Sequence, residues 1–230
     1  MNYVFEPQPA TALFVQGRDL CFAVRRVYCV GRNYAAHARE MGFDPDRERP
    51  FFFCKPGDAV VPVAAGATLE LEYPSQTNDY HYEVELVVAI GRAGRNIPAD
   101  QAAGYVWGYA VGLDMTRRDL QLGLRKAGRP WEAGKSFDRS APIGPLLPVT
   151  EGQPGGPLWL QVNGLDRQRS SLDRLIWSVP EIISELSRFF ELRPGDLIMT
   201  GTPEGVGPVL AGDLMHAGIE GVGELHVQVI

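Results

Sequence analysis

The stretch YEVELVVAI at residues 82–90 carries the clearest indication of the fold. It is short, rich in β-branched residues and typical of a strand. Residues 106–113, 158–162 and 225–230 have the same character and are bounded by Gly, Pro or Asn. Eighteen prolines and 26 glycines, spread over 230 residues, favour many turns between short strands. The sequence therefore predicts a mixed α/β fold that is predominantly β, with a few short helices.

Three local patterns add detail to this prediction. Asn163-Gly164 is typical of a two-residue hairpin turn. Ser178 and Glu181 have the spacing of a capping box, and the apolar residues after them recur at helical intervals up to Pro194-Gly195. Residues 34–41 have helical composition, and we expect Asn33 to be the N-cap of that helix.

Domain organisation follows from a change in pattern near residue 27. Residues 1–26 contain two prolines, scattered charges and one short apolar run, which indicates a leading arm or hairpin. From Val27 onward strand and turn patterns follow one another closely. We therefore expect an N-terminal arm over 1–26 and a main domain over 27–230, the part of the chain that would carry any catalytic site.

Composition excludes several classes of partner. Lys plus Arg number 22 against 28 Asp plus Glu, a net charge of −6, so the chain has no basic surplus for nucleic acid or an anionic membrane. No apolar run approaches the roughly 20 residues that span a bilayer. Three cysteines without a CxxC pair indicate reduced, mostly packed thiols. With no cationic, apolar leader at the start, the sequence predicts a cytoplasmic protein.

Two carboxylates in the first stretch are the leading candidates for metal binding. Side chains of a strand alternate between faces, so Glu83 and Glu85 project from the same face. Their repulsion is costly unless water solvates both or a cation lies between them. A solvated surface is the plain alternative, but Asp114 follows another predicted strand and adds a third acid. Three oxygen donors would suit a hard dication such as Mg²⁺.

A second candidate is the pair His37 and Glu40. Positions i and i+3 share a helical face, so Glu40 can accept a hydrogen bond from one imidazole nitrogen and leave the other as a base. A surface histidine beside a carboxylate is the alternative. The three other histidines have no such partner nearby in the sequence.

Two glycine-containing segments remain open to interpretation. Gly134-Lys135-Ser136 is not a phosphate-binding P-loop, because five residues, not four, separate Gly128 from Gly134. Lys135 is then either a surface lysine or an ammonium directed at an anionic intermediate. The glycine-rich bend at 201–207 carries hydroxyls at Thr200 and Thr202, and is either a ligand-approaching loop or a structural turn.

Taken together, five motifs resemble those of the fumarylacetoacetate hydrolase family, in its acylpyruvate hydrolase branch. They are VGRNYAAH (30–37), YEVEL (82–86), GLDMT (112–116), GKSF (134–137) and TGTP (200–203). The resemblance covers residue 27 to the end. RRVYCVG (25–31) and YHYE (80–83) are most similar to the fumarylpyruvate hydrolases of gentisate-type aromatic catabolism.

The resemblance implies a β-sandwich roll, a homodimer and a Mg²⁺ or Mn²⁺ cofactor. The metal ligands would be Glu83, Glu85 and Asp114. Other roles follow from motif matching: a water-activating dyad of His37 and Glu40, an enolate-stabilising Lys135, and substrate contacts from Arg118, Gln121 and Thr202. Arg117 is a departure, since many family members have a small residue at that place.

The activity implied is hydrolysis of the C–C bond of a 2,4-dioxo acid. We expect fumarylpyruvate and water to give fumarate and pyruvate, with attack by activated water at C4. Alternatives on the same site are acetylpyruvate hydrolysis, oxaloacetate decarboxylation and dienedioate isomerisation or decarboxylation. A non-catalytic metal-binding protein is the alternative outside enzymology. A fumaryl tail ends in a carboxylate and would need a cation such as Arg32, Arg117 or Arg125.

Overall fold

The computed structural model describes residues 2–42, 48–149 and 154–230. Eighteen strands lie in this part of the chain: β1 (Ala12–Phe14), β2 (Cys21–Ala23), β3 (Val27–Gly31), β4 (Phe51–Lys55), β5 (Val60–Pro62), β6 (Thr68–Leu71), β7 (Tyr80–Tyr82), β8 (Val84–Ile90), β9 (Val106–Leu113), β10 (Thr116–Arg117), β11 (Ala141–Ile143), β12 (Leu147–Pro148), β13 (Pro157–Val162), β14 (Leu165–Ser171), β15 (Leu197–Met199), β16 (Gly207–Pro208), β17 (Leu214–Ile219) and β18 (Gly223–Val229). The α-helices described are α1 (Ala35–Glu40), α2 (Arg118–Lys126), α3 (Glu132–Lys135) and α4 (Val179–Phe189). The predominantly β prediction is confirmed.

Two larger sheets form the body of the protein. One has the order β4-β3-β15-β8-β9-β11-β5, with β12 also paired to β9, and the other has the order β14-β13-β17-β18-β6. A three-stranded sheet, β10-β7-β16, lies beside them. The alternation of β8 explains the layering: Val84, Leu86 and Val88 pack in the cluster that includes the five-stranded sheet, while Val87 and Ala89 pack in the cluster on the opposite face.

The short-range patterns largely hold. Strand β8 covers residues 84–90 of the stretch 82–90, whose first residue ends β7, and β9 covers the predicted 106–113. Asn163-Gly164 joins β13 to β14 with positive φ values of 52° and 77°. The capping box of Ser178 and Glu181 starts α4, although the helix ends at Phe189, before Pro194-Gly195. None of the helices among the described residues is long and apolar enough to cross a bilayer.

Two local predictions were wrong. The N-cap of α1 is Tyr34, because the side chain of Asn33 instead donates to the carbonyls of Trp177 and Thr200 over 2.9 and 2.8 Å. The second concerns the cysteines: only Cys29 is buried, while Cys21 and Cys54 are exposed.

The N-terminal arm forms the hairpin β1–β2. It is tied to the body, since Leu13 is buried in the core and the amide of Leu146 donates to the carbonyl of Phe14 over 2.8 Å. The amide of Arg25 also donates to the carbonyl of Gly195 over 2.8 Å. The division at residue 26 stays a prediction about domains.

Candidate active site

Three buried carboxylates meet at one end of the β8–β9 pair. Glu83 immediately precedes β8, Glu85 lies within it and Asp114 follows β9. The strands are antiparallel and pair Val84 with Leu113, and the amide of Asp114 donates to the carbonyl of Glu83 over 2.9 Å. One carboxylate oxygen from each acid lies within 4.8 Å of the others. The structure thus brings the three predicted acids together.

Glu85 is the acid with the least compensation. Burial raises its pKa well above the usual range, and the charges of Asp114 and Glu83 raise it further. Its Oε2 accepts one hydrogen bond, over 2.8 Å, from the amide of Gly201. Gly201 has a φ of +99°, and a Cβ at this position would lie 2.7 Å from that of Asn33, so this approach needs glycine.

Cations balance the other two acids. Lys135 Nζ lies 2.7 Å from Glu83 Oε2 and 2.8 Å from Asp114 Oδ2, while Arg118 donates to Oε1 of Glu83. Burial would raise the pKa of Glu83, but the charges of Lys135 and Arg118 outweigh it and hold that pKa low. Burial would lower the pKa of Lys135, but Asp114 and Glu83 raise it. At neutral pH Glu83 is therefore a carboxylate and Lys135 an ammonium.

The acid cluster fits a hard dication. Asp114 Oδ1 is buried and forms an ion pair with Lys55, whose Nζ lies 2.9 Å away. The angles of this contact are not those of a hydrogen bond, and Oδ1 accepts no other. A dication would coordinate this oxygen, which is paired with Lys55 but accepts no aligned hydrogen bond, and would offset the repulsion that raises the pKa of Glu85. Because carboxylates are the oxygen ligands that Mg²⁺ and Mn²⁺ prefer, Glu83, Glu85 and Asp114 could hold either ion.

Lys135 reaches the acids because α3 packs closely against α2. A Cβ on Gly134 would lie 2.8 Å from the backbone nitrogen of Gln121, so only glycine permits this approach. Ser136 donates to the carbonyl of Cys54 over 2.6 Å and holds the end of α3 against β4. The motif Gly134-Lys135-Ser136 thus places a buried charge.

His37 and Glu40 form the predicted pair on α1. Nδ1 of His37 lies 3.1 Å from Oε2 of Glu40, which leaves Nε2 as the remaining ring nitrogen. The amide of Gly205, in the glycine-rich bend, donates to both oxygens of Glu40 over 3.1 and 3.2 Å. The hydrogen bond from His37 is the main cause that lowers the pKa of Glu40. His37 is 7% exposed while Glu40 is exposed, so the dyad joins a buried imidazole to a carboxylate at the surface.

The expectation that the other histidines lack carboxylate partners was wrong. His81 Nε2 lies 2.7 Å from Asp79, and His216 Nε2 lies 3.0 Å from Glu224 on the neighbouring strand. Glu224 is eight residues from His216 in the sequence and reaches it across the strand pair. Asp79 lies two residues before His81, outside the i+3 spacing that defined a partner. Among the four histidines, His37 is the one that lines the cavity with the acids.

The three predicted substrate contacts, Arg118, Gln121 and Thr202, differ in how many of their hydrogen-bond donors are already used within the protein. Arg118 uses three of its five N–H donors, donating to Glu83, to Oε1 of Gln121 and, over 3.4 Å, to Nδ1 of His81. Gln121 keeps its amide nitrogen as a donor. The hydroxyl of Thr202 donates to the carbonyl of Val84 over 2.9 Å, so it could donate to a substrate only by giving up that bond.

Sequence reasoning missed Lys55. Its ammonium is buried and, besides facing Asp114, it donates to the carbonyls of Met115, over 3.2 Å, and Lys135. A charged residue at the end of the apolar run 51–54 was the available signal. Gln168 was also missed: it bonds the amide of Val84 and the hydroxyl of Thr202 and fixes the start of β8.

One cavity joins these groups. We call Glu83, Glu85 and Asp114 its acid floor, and Arg32, His37 and Arg125 its rim; all six line it. Arg117 is instead held elsewhere, with its guanidinium 4.3 Å from the centroid of the Phe137 ring and a 3.3 Å hydrogen bond to the carbonyl of Ala133. Of the three arginines considered for a substrate carboxylate, two therefore face the cavity.

Comparison with known proteins gives a consistent result. Residues 26–230 match the family model described as fumarylacetoacetate (FAA) hydrolase C-terminal. A fumarylpyruvate hydrolase of Ralstonia is 47% identical over 190 residues, 81% of this chain and 95% of that protein. The mitochondrial oxaloacetate tautomerase FAHD1 of Mus musculus is 42% identical over 207 residues, 89% of this chain and 91% of that protein.

A solved structure extends the likeness to the whole chain. It is the crystal structure of fumarylpyruvate hydrolase from Pseudomonas aeruginosa in complex with Mn²⁺ and pyruvate. The two proteins are 67% identical, with a TM-score of 0.98, and the match covers 100% of this chain and 99% of that one. The expected roll-like fold is therefore confirmed.

Proposed function

The chain belongs to the fumarylacetoacetate hydrolase family, and from this we propose that it hydrolyses the C–C bond of a 2,4-dioxo acid, with fumarylpyruvate as substrate and fumarate and pyruvate as products. One observation carries the proposal: a buried trio of acids lines the same cavity as His37, whose other ring nitrogen is held by Glu40. A non-catalytic metal-binding protein would have no need of the dyad.

The cofactor in this proposal is Mn²⁺ or Mg²⁺, held by Glu83, Glu85 and Asp114. Support comes from the convergence of the three buried acids and from the similar structure that contains Mn²⁺. When bound, the ion supplies Lewis-acid polarisation of the 2-oxo acid end of the substrate. Lys55 and Lys135 hold Asp114 from two sides, so its carboxylate is oriented before any ion binds.

The dyad supplies the nucleophile. Glu40 accepts the Nδ1 proton of His37, which fixes the tautomer in which Nε2 is basic. In our proposal Nε2 takes a proton from water, and the resulting hydroxide attacks the C4 carbonyl. Breaking the C3–C4 bond leaves its electron pair on the pyruvate fragment as an enolate, which is then protonated at C3.

Cations stabilise the charge that develops. We assign the enolate oxygen to the ammonium of Lys135, which stays protonated between its two acids. Arg118, Gln121 and Thr202 complete the proposed contacts to substrate oxygens. Arg118 contributes the field of a buried guanidinium and the N–H donors that are not used by its three bonds to protein groups.

The test is direct. Purified protein with Mn²⁺ and fumarylpyruvate should consume the conjugated enol absorbance and release pyruvate and fumarate in equal amounts. Binding of Mn²⁺ without turnover of any acylpyruvate would refute the proposal. Omitting the metal serves as the control.

A second candidate is a reaction of oxaloacetate, favoured by the likeness to the mitochondrial oxaloacetate tautomerase. Tautomerisation or decarboxylation would need the same polarised 2-oxo acid but no attacking water. Repeating the assay with oxaloacetate, and following both enol absorbance and carbon dioxide, separates these reactions from hydrolysis. His37→Ala should abolish hydrolysis selectively if water activation is its role.

We further propose a cytoplasmic homodimer that acts on a small molecule in the catabolism of aromatic compounds. The likeness to fumarylpyruvate hydrolases supports the catabolic role, and the net charge of −6 favours a small molecule over nucleic acid as the partner. Light scattering should give about twice the 25.3 kDa chain mass. A monomer would refute the dimer.

A further inference from the structure

Helix α2 carries a row of polar side chains from the acid floor to the rim. Arg118, Gln121 and Arg125 are spaced i, i+3 and i+7, so they share one helical face, and all three line the cavity. Arg118 contacts Glu83 at the floor. Arg125 is seven residues further on, about 10 Å along the helix axis. A ligand anchored at the acid floor would therefore reach the guanidinium of Arg125 about 10 Å away.

Arg32 brings another guanidinium to the same rim. It follows β3 in the left-handed region, with a φ of +57°, an unfavourable backbone for a residue with a Cβ. Its guanidinium lies 5.0 Å from the centroid of the Phe51 ring. Burial lowers the pKa of Arg32; the exposed Glu48 opposes this, and the charge of Arg125 lowers it further. An anion bound between the two guanidiniums would offset their repulsion.

Aromatic side chains form the wall between floor and rim. Phe51 and Phe53 both contact Trp131, with ring centroids 5.4 and 5.9 Å apart, and all three rings line the cavity. Flat apolar surfaces suit a planar, unsaturated chain better than a hydrated one. Between its two charged ends the cavity is thus built for an apolar spacer.

We propose that Arg32 and Arg125 bind the terminal carboxylate of the acyl group, so that the site selects 2,4-dioxo acids whose tail is an unsaturated four-carbon dicarboxylic chain. This inference rests on the proposed function and names the residues that select the tail of its substrate. Six C–C bonds of about 1.5 Å each, in a zigzag, separate the two carboxylates of such an acid by about 8 Å. Adding one hydrogen bond of about 3 Å matches the spacing along α2.

The first experiment compares two substrates that differ only at the tail. Fumarylpyruvate ends in a carboxylate and crotonylpyruvate in a methyl group. In Arg125→Gln and in Arg32→Gln, the ratio of their kcat/KM values should fall about 10- to 100-fold, the loss expected for a charge-assisted pair. Lys126→Gln, an exposed charge loss on the same helix, is the matched control and should keep the ratio.

An unchanged ratio in both arginine variants would overturn the inference. An equal fall in the control would do the same, because it would indicate general electrostatics. Circular dichroism and thermal melts check that each variant folds. If Arg32→Gln does not fold, Arg125→Gln alone decides the test.

The second experiment separates this inference from the proposed function. Calorimetry measures fumarate binding to the Mn²⁺-loaded protein with pyruvate present to occupy the metal end. Arg125→Gln should weaken fumarate about tenfold or more and leave pyruvate affinity within about twofold. Arginine-dependent fumarate binding without cleavage of any acylpyruvate would refute the hydrolase proposal and leave the carboxylate subsite standing. Cleavage of fumarylpyruvate with fumarate affinity unchanged in Arg125→Gln would refute the carboxylate subsite and leave the hydrolase proposal standing.

Discussion

The acid floor and the rim are built in different ways. The floor stands on two paired strands of the large sheet; its acids are at most 4% exposed, and Gly201, Lys55, Lys135 and Arg118 surround them. The rim depends on a six-residue helix, α1, and on side chains that reach in from α2 and the end of β3. Rigid support suits ion coordination, which tolerates little displacement, while the rim can vary with the substrate tail.

The largest effect should come from the floor. Asp114→Asn removes a metal-ligating charge and leaves Lys55 and Lys135 with less compensation, so activity should fall about 10³-fold or more. Calorimetric titration should show weakened Mn²⁺ binding together with the lost turnover. Glu132→Gln, an exposed acid on α3, is the control and should change neither. Unchanged Mn²⁺ affinity in Asp114→Asn would remove this acid from the ligand set.

His37→Ala should have the next largest effect. Loss of a general base typically costs about 10²- to 10⁴-fold in kcat. Because His37 contacts none of the three acids through a hydrogen bond, Mn²⁺ affinity should stay close to that of the native protein. Steady-state kinetics and calorimetry on the same preparation make the comparison. Full turnover would show that the dyad does not activate water.

Glu40→Gln should be milder. The amide oxygen can still accept from Nδ1 of His37 and from Gly205, but the charge that favours a basic Nε2 is gone. We expect kcat to fall about 10- to 100-fold, as when a partner that orients a functional imidazole is changed. Glu185→Gln, on α4 and paired with Arg188, is the control. A loss as large as that of His37→Ala would mean that Glu40 does more than orient and polarise the ring.

The sequence predicted the floor better than the surroundings of the floor. Residues 84–90 and 106–113 are short runs rich in apolar, β-branched and aromatic residues, so local composition was sufficient to predict both strands. The alternation of side chains along a strand was sufficient for the shared face of Glu83 and Glu85. Lys55 was not predictable in this way, because its contact with Asp114 joins residues 59 apart through the tertiary fold. Long-range bonds also explain why Asn33 is no N-cap: its amide joins Trp177 and Thr200.

At the rim, composition identified candidates but could not place them. Arg32, Arg117 and Arg125 are equivalent as charges in the sequence. Helical spacing from Arg118 carries Arg125 into the cavity, whereas Arg117 lies before α2 and packs over Phe137. The packing of α2 decides between Arg117 and Arg125, and the left-handed backbone after β3 places Arg32 in the cavity.

The most direct test of the central claim is the anomalous difference map of crystals grown with Mn²⁺. The account predicts one strong peak bounded by carboxylate oxygens of Glu83, Glu85 and Asp114, on the same cavity as His37. A peak elsewhere, or three acids bound only to Lys55, Lys135 and Arg118 with Mn²⁺ in excess, would contradict it.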